Sequence, residues 1–135
     1  MKNEDIQKHY MELQFVDQQI KTLQQQLMML EQQSAEIASL MDNLETLKNV
    51  KPNTSAFAEI GPGIAVETSI TNAKHVVMNV GANTMVKKTI PEAQKTLQSQ
   101  VEDIQNVTKN MEMEIQKLLS HAQYLREEIQ KASKQ

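Results

Sequence analysis

The sequence predicts an α+β fold, a long antiparallel helical coiled coil with two β-hairpins between its helices. Three observations carry this. Both flanks repeat apolar residues at the ~3.5-residue period of coiled-coil helices. The stretch from Asn53 to Ile90 instead alternates apolar and polar residues with a period of two. All three glycines and all three prolines fall within that stretch or at its edges. The expected organisation is a single domain over 1–135, with a helix over 3–50, two β-hairpins over 54–88 and a second helix over 90–133.

With Ile6 at heptad position a, the first helix places Ile6, Leu13, Ile20, Leu27, Ser34 and Met41 at a. It places His9, Val16, Leu23, Leu30, Ile37 and Leu44 at d. Only His9 and Ser34 depart from an apolar seam, so this helix packs along a narrow stripe against a partner helix. Pro52 disfavours helical geometry at Lys51, which ends the helix there or slightly earlier. Glu4 and Asp5 near its start and Lys48 and Lys51 near its end complement the helix dipole. Leu40 and Leu47 lie beside the seam and are expected to widen it where helix and strands pack.

The strand block reads Ser55 to Ile60, Gly61-Pro62-Gly63, Ile64 to Ile70, then His75 to Val80, Gly81-Ala82-Asn83 and Thr84 to Lys88. Two tandem hairpins with short glycine-bearing connections fit this best. Small sheets with open edges recruit further strands, so oligomerisation through Phe57, Ile60, Val66, Val77, Val80 and Val86 is expected.

Thr89-Ile90-Pro91-Glu92 is a helix-start signal in which Thr89 caps, Pro91 suits the first turn and Glu92 completes a capping box. Beyond it Ile90, Leu97, Ile104, Met111, Leu118, Leu125 and Ala132 take d, while Gln94, Val101, Thr108, Ile115, Ala122 and Ile129 take a. Two such helices, each about 60 Å long at 1.5 Å per residue, can pair as an antiparallel hairpin. Leu13 then faces Leu125, Ile20 faces Leu118, Leu27 faces Met111 and Met41 faces Leu97. Every a site meets a d site, and the two chain ends come together.

Composition excludes several classes of function. Aromatics are 3% of the residues and Trp is absent, too few large apolar groups for a spherical core, so apolar residues are spent along seams. The net charge is −3 with basic and acidic residues interspersed, whereas phosphate backbones need concentrated positive charge. Nucleic acid is not an expected partner. No cysteine is present, which fits a reducing compartment. No window approaches the ~20 apolar residues of a membrane span, and the first residues lead into no apolar run, so a soluble, cytoplasmic protein is expected. His9, His75 and His121 are scattered without metal-ligand spacing, no P-loop is present, and no nucleophile stands beside a base. The expectation is a non-enzymatic protein without cofactor or metal.

The helix ends hold the candidate binding residues. Tyr10, Phe15 and Tyr124 are three of the four aromatics, and Met11 and Phe15 take outward heptad positions four residues apart. With Ile6, Leu119, Leu125 and Ile129 they form the candidate contact set. Two readings fit: a clamp for unfolded chains, in which Met11 adapts to varied partners, or a locally widened seam with Phe15 and Tyr124 folded back over the coil.

Helix, two hairpins, helix, with Glu59-Ile60-Gly61-Pro62-Gly63 in the first hairpin and Val80-Gly81-Ala82-Asn83 leading through Val86-Lys87-Lys88-Thr89-Ile90-Pro91-Glu92-Ala93 into the second helix, resembles the α-type subunit of the prefoldin family, most closely its archaeal form. β-type subunits carry one hairpin, so the second hairpin points to the α type. The resemblance implies an ATP-independent molecular chaperone in which two α and four β subunits form a hexamer. Their hairpins join into an oligomeric β-barrel platform, and the coil ends capture unfolded polypeptides for transfer to a group II chaperonin. It favours the clamp reading. A structural coiled-coil scaffold or adaptor binding folded partners is the alternative.

Overall fold

In a computed structural model, the described residues are 3–134, and Met1, Lys2 and Gln135 of the expected 1–135 domain lie outside them. Along the chain, α1 (Asn3–Leu47) leads to β1 (Thr54–Gly61), β2 (Ile64–Ile70), β3 (His75–Asn79), β4 (Met85–Thr89) and α2 (Ile90–Ser133). The residues group into two compact units, Met1–Ser34 with Glu102–Gln135 and Ala35–Val101.

The first unit is a two-helix coil. Val16, Ile20, Ala122 and Leu125 form its buried cluster, with Leu13 and Leu118 packed against it. These are the residues that the expected register lays opposite one another, so the two heptad frames interlock as the sequence predicts. From Asn3 to Leu44 the shielded positions of α1 are its predicted a and d sites and no others. His9 and Ser34 keep their seam positions half-buried, and His9 Nδ1 lies 2.7 Å from the Asp5 carbonyl oxygen.

The second unit holds the end of α1, both hairpins and the start of α2. α1 stops at Leu47 rather than near Val50, because its exit tightens into three-residue turns. The amides of Asn49 and Val50 donate to the carbonyls of Thr46 and Leu47, each at 3.1 Å, ahead of Pro52. Lys48 thus lies just past the helix, where it pairs with Glu45 at 3.0 Å. Ile37, Leu44, Ile90, Ala93 and Leu97 are buried here and Leu47 is half-buried. Leu40, expected to widen the stripe, is 45% exposed. It does not join the seam, whereas Leu47, at the same heptad position one repeat on, is half-buried.

β1 and β2 form one antiparallel two-stranded sheet and β3 and β4 another, with no pairing between the two sheets among the described residues. The first hairpin turns on Pro62-Gly63, where proline sets the first dihedral and Gly63 takes φ 77°, the pattern of a type II turn. A bulge between Glu59 and Gly61 adds the local twist that such a turn lacks. In the second hairpin the turn centres on two non-glycine residues, Ala82 at φ 49° and Asn83 at φ 59°. The Thr84 amide closes this type I′ turn on the Gly81 carbonyl at 2.9 Å. Asparagine tolerates the left-handed region, whereas alanine is strained in it.

Of the predicted capping box at α2 the Thr89 cap forms, while the Glu92 carboxylate meets the Thr89 hydroxyl instead of its backbone amide. The Glu92 amide donates to Thr89 Oγ1 at 3.3 Å, and the Thr89 hydroxyl donates to Glu92 Oε1 at 2.9 Å. Lys88 Nζ reaches Thr96 Oγ1 at 3.4 Å and ties the second hairpin to this helix start.

Two stability changes of opposite sign follow. Thr89→Ala removes the cap and lowers stability by about 1 kcal/mol, read as a lower melting temperature by circular dichroism, while Thr89→Ser retains most of it. Ala82→Gly relieves the left-handed strain and stabilises by about 1 kcal/mol; a loss of stability instead would show that Ala82 does not occupy this turn conformation.

Candidate functional site

In an antiparallel coil whose a sites face d sites, the g positions of the two helices meet along one side and the e positions along the other. Both edges carry an interhelical pair. On the g side His121 Nε2 lies 2.8 Å from Glu12 Oε1. On the e side Arg126 Nη2 donates to Asp17 Oδ1 at 3.1 Å. These polar clasps straddle the layer of Val16 and Ala122 and mark which side each outer residue occupies.

The predicted contact set separates into three groups. Leu125 is 1% exposed and Ile129 is also buried, so both belong to the seam. Ile6 is half-buried as an a-site residue. The a and d positions of these three, which the sequence reading also grouped with the contact set, turn them toward the partner helix. The remaining five, Tyr10, Met11, Phe15, Leu119 and Tyr124, are all exposed, Phe15 to 64%. Neither Phe15 nor Tyr124 folds back into the seam. Phe15 and Tyr124 take c positions that flank the g side, where the Tyr124 ring stacks on His121 at 6.4 Å between centroids. Tyr10 and Leu119 take e positions on the other side, and Met11 stands at f on the outer face.

Below Phe15 the g side forms an open groove lined by Phe15, Gln19, Leu23, Gln26, Glu114 and Leu118. A second groove contains Gln26, Met29, Leu30, Gln33, Val107 and Met111. The sequence reading missed Met29 and Val107. The available signal was that both are apolar at c and g, outside the stripe.

The strand residues are equally informative. Ala58 pairs with Val66 and Phe57 with Glu67, and cross-strand partners share a face, so Val66 and Phe57 point to opposite faces of the first hairpin. Val77 pairs with Lys87 and Met78 with Val86, which sets Val77 and Val86 on opposite faces of the second. Ile60 and Val80 are also exposed, and Phe57 is 74% exposed. Both hairpins therefore show apolar groups on both faces and unpaired backbone along their outer edges.

Two polar details complete the site. Gln94, a predicted break in the seam, donates from Nε2 to Glu45 Oε2 at 2.8 Å. This bond, followed by the contact with Lys48, holds the Glu45 carboxyl below its ordinary range. Among the described residues no group of three or more His, Asp or Glu side chains is placed to hold a metal ion, and no helix is long and apolar enough to cross a membrane.

Two heptad helices joined through two open-edged hairpins define a hairpin-bearing coiled-coil protein. The chain belongs to the prefoldin family: the family model described as a prefoldin subunit matches residues 16–135. It is accordingly a chaperone subunit, and the relatives to which it is similar are of the α type. The prefoldin subunit alpha of Archaeoglobus fulgidus is 23% identical over 125 residues, covering 93% of this chain and 91% of that one. Prefoldin subunit alpha of Methanoculleus marisnigri is 27% identical over 118 residues, covering 87% and 78%. In fold, the chain is similar to filamentous PFD from Methanocaldococcus jannaschii, solved by cryo-EM, with a TM-score of 0.78 and 21% identity over 86% of this chain and 96% of that one.

The separation of seam from surface is directly measurable. Leu125→Ala should cost about 2–5 kcal/mol of coil stability, whereas Phe15→Ala should stay within about 0.5 kcal/mol of the parent. Denaturant melts followed by helical circular dichroism read both, and equal losses would place Phe15 in the core.

Proposed function

We propose that this chain is the α-type subunit of an ATP-independent chaperone, that it captures unfolded polypeptides at the end of its coil where α1 begins and α2 finishes, and that it passes them to a group II chaperonin. The observation that carries this reading is the exposure of Phe15 and Tyr124 on one side of the coil, next to the Met11 face. Large apolar side chains that the seam does not use persist on a surface chiefly where a partner covers them. A flexible thioether such as Met11 adapts to varied apolar partners.

Assembly follows from the hairpins. Each two-stranded sheet has apolar groups on both faces and two unpaired edges, which other chains can cover by extending the strands. In this reading β-type subunits supply those strands, two α with four β, and the joined hairpins close into a β-barrel platform. Phe57, Ile60, Val66, Val77, Val80 and Val86 are the residues that such a platform would bury. The three glycines stand at the end of β1 and in the two hairpin turns, not in a glycine-rich loop that opens a helix to cradle a nucleotide phosphate. The lack of cysteine suits a cytoplasmic setting.

The test is aggregation of a chemically unfolded client in the presence of the assembled protein. Phe15→Ser with Tyr124→Ser removes exposed apolar area at roughly 25 cal/mol per Å² without touching the seam. Suppression of aggregation should fall while helical signal and oligomer size hold. If suppression persists undiminished in a normally assembled double variant, capture does not occur on this surface.

A further inference from the structure

One face of α1 is built without charge. Gln18 and Gln19, Gln25 and Gln26, and Gln32 and Gln33 fill the f and g positions of three successive heptads. Phe15, Thr22 and Met29 fill the neighbouring c positions, so from Phe15 to Gln33 the whole c/f/g face of the helix is exposed and uncharged. An ordinary solvated coiled-coil surface carries Glu and Lys at such positions. Here those charges are absent from one side only: the groove containing Ser34 and Ile104 is lined by Glu31, Lys109 and Glu112.

The two g-side grooves run along this face and share Gln26. Their floors are apolar, with Leu23 and Leu118 in the first and Leu30, Val107 and Met111 in the second, and Glu114 is the one charged residue among those described as lining them. A glutamine amide offers two N–H donors and a carbonyl acceptor, the complement of a peptide backbone. Covering it also costs far less than covering a charge. Phe15 and Met29 stand fourteen positions apart on α1, so at 1.5 Å per residue they are separated by about 21 Å. An extended chain, rising about 3.3 Å per residue, spans that distance in roughly six residues.

From this juxtaposition we infer that the g side of the coil is a lengthwise docking groove for one extended, unfolded polypeptide segment. Gln19, Gln26 and Gln33 hydrogen-bond to its backbone whatever its sequence, and Phe15 and Met29 hold apolar side chains of the segment about six residues apart. The inference rests on the capture reading above and adds to it where along the coil a client lies and which feature of the client is read.

The probe is a fluorescein-labelled synthetic peptide with no net charge and no folded state, carrying two leucines six residues apart, titrated into the full-length chain in its assembled form. Two double variants are compared, Gln19→Glu with Gln26→Glu and Gln19→Lys with Gln26→Lys, with oligomer size and helical signal checked in each. Each variant keeps only the acceptors or only the donors of the two amides and adds two charges that the segment must cover, so peptide binding should weaken about tenfold in both, whatever the sign of the introduced charge. Gln105→Glu on the charged side should leave it unchanged. Moving the two leucines next to each other should also weaken binding. Unchanged binding in both double variants, with the parent binding normally, overturns the groove while leaving capture elsewhere on the coil intact. Tighter binding of a stapled helical peptide of the same composition overturns it too, since the occupant would then be a helix. If the parent chain fails to bind the unfolded peptide at all, the capture reading falls and the groove falls with it.

Discussion

The a/d seam is the constraint on which everything else in this chain depends. With so few aromatics, the protein has no large side chains with which to build a rounded core. Most Leu and Ile of its helices are instead committed at a and d positions, in two frames that interlock residue by residue. Moving α2 by one residue against α1 would lift Leu118 and Leu125 off Ile20 and Leu13 and bring a charged residue, Lys117 or Arg126, into the seam instead. The clasps Glu12–His121 and Asp17–Arg126 add direction rather than strength. Exposed pairs of this kind contribute about 0–1 kcal/mol, but g meets g and e meets e only when the helices run antiparallel.

A strict seam also makes the remaining apolar residues interpretable. In a globular protein an exposed leucine or methionine is unremarkable, whereas in a coil every position has an assigned direction. Phe15, Met29, Val107 and Tyr124 are apolar where the heptad calls for polar residues, so they mark a surface. The hairpins follow a different logic. A two-stranded sheet can lay only one face on its own helices, and here Phe57 with Val66, and Val77 with Val86, put apolar groups on both. Burying the second face requires strands or side chains from outside the chain.

What could be read from the sequence divides along the same physical line. Heptad positions, the Thr89–Glu92 cap and the helix stop ahead of Pro52 depend on residues close together in sequence, and they appear in the structure as expected. Seam or surface was harder at the helix ends, where Leu125 and Ile129 were grouped with Tyr124 because they are neighbours in sequence, although their heptad positions already separated them. The strand faces were not legible in detail. Which face Phe57 occupies is set by its pairing with Glu67, and the pairing is set by a bulge between Glu59 and Gly61 that no local pattern announces. The second hairpin was legible as the Gly81-Ala82-Asn83 connection, but not the left-handed conformations of Ala82 and Asn83 at its centre. The Asn79 side-chain carbonyl accepts from the Gly81 amide at 2.9 Å, a local turn of the kind Asn favours.

The two helices of the coil divide the work of solubility unequally. From Gln18 to Leu30 α1 bears a single charge, Lys21, while the stretch of α2 that the register lays opposite bears Lys109, Glu112, Glu114 and Lys117. Charged residues at outer positions keep a coil soluble and resist close approach by other chains, because covering them costs desolvation. Glutamine keeps high helix propensity while lowering that barrier, and methionine adds apolar contact without a fixed shape. A helix that needed only to stay folded in water would gain from Glu–Lys pairs spaced four residues apart. Repeating Gln-Gln heptad after heptad forgoes that gain along one side of one helix. The same side carries both grooves, whose lining is apolar or amide apart from Glu114.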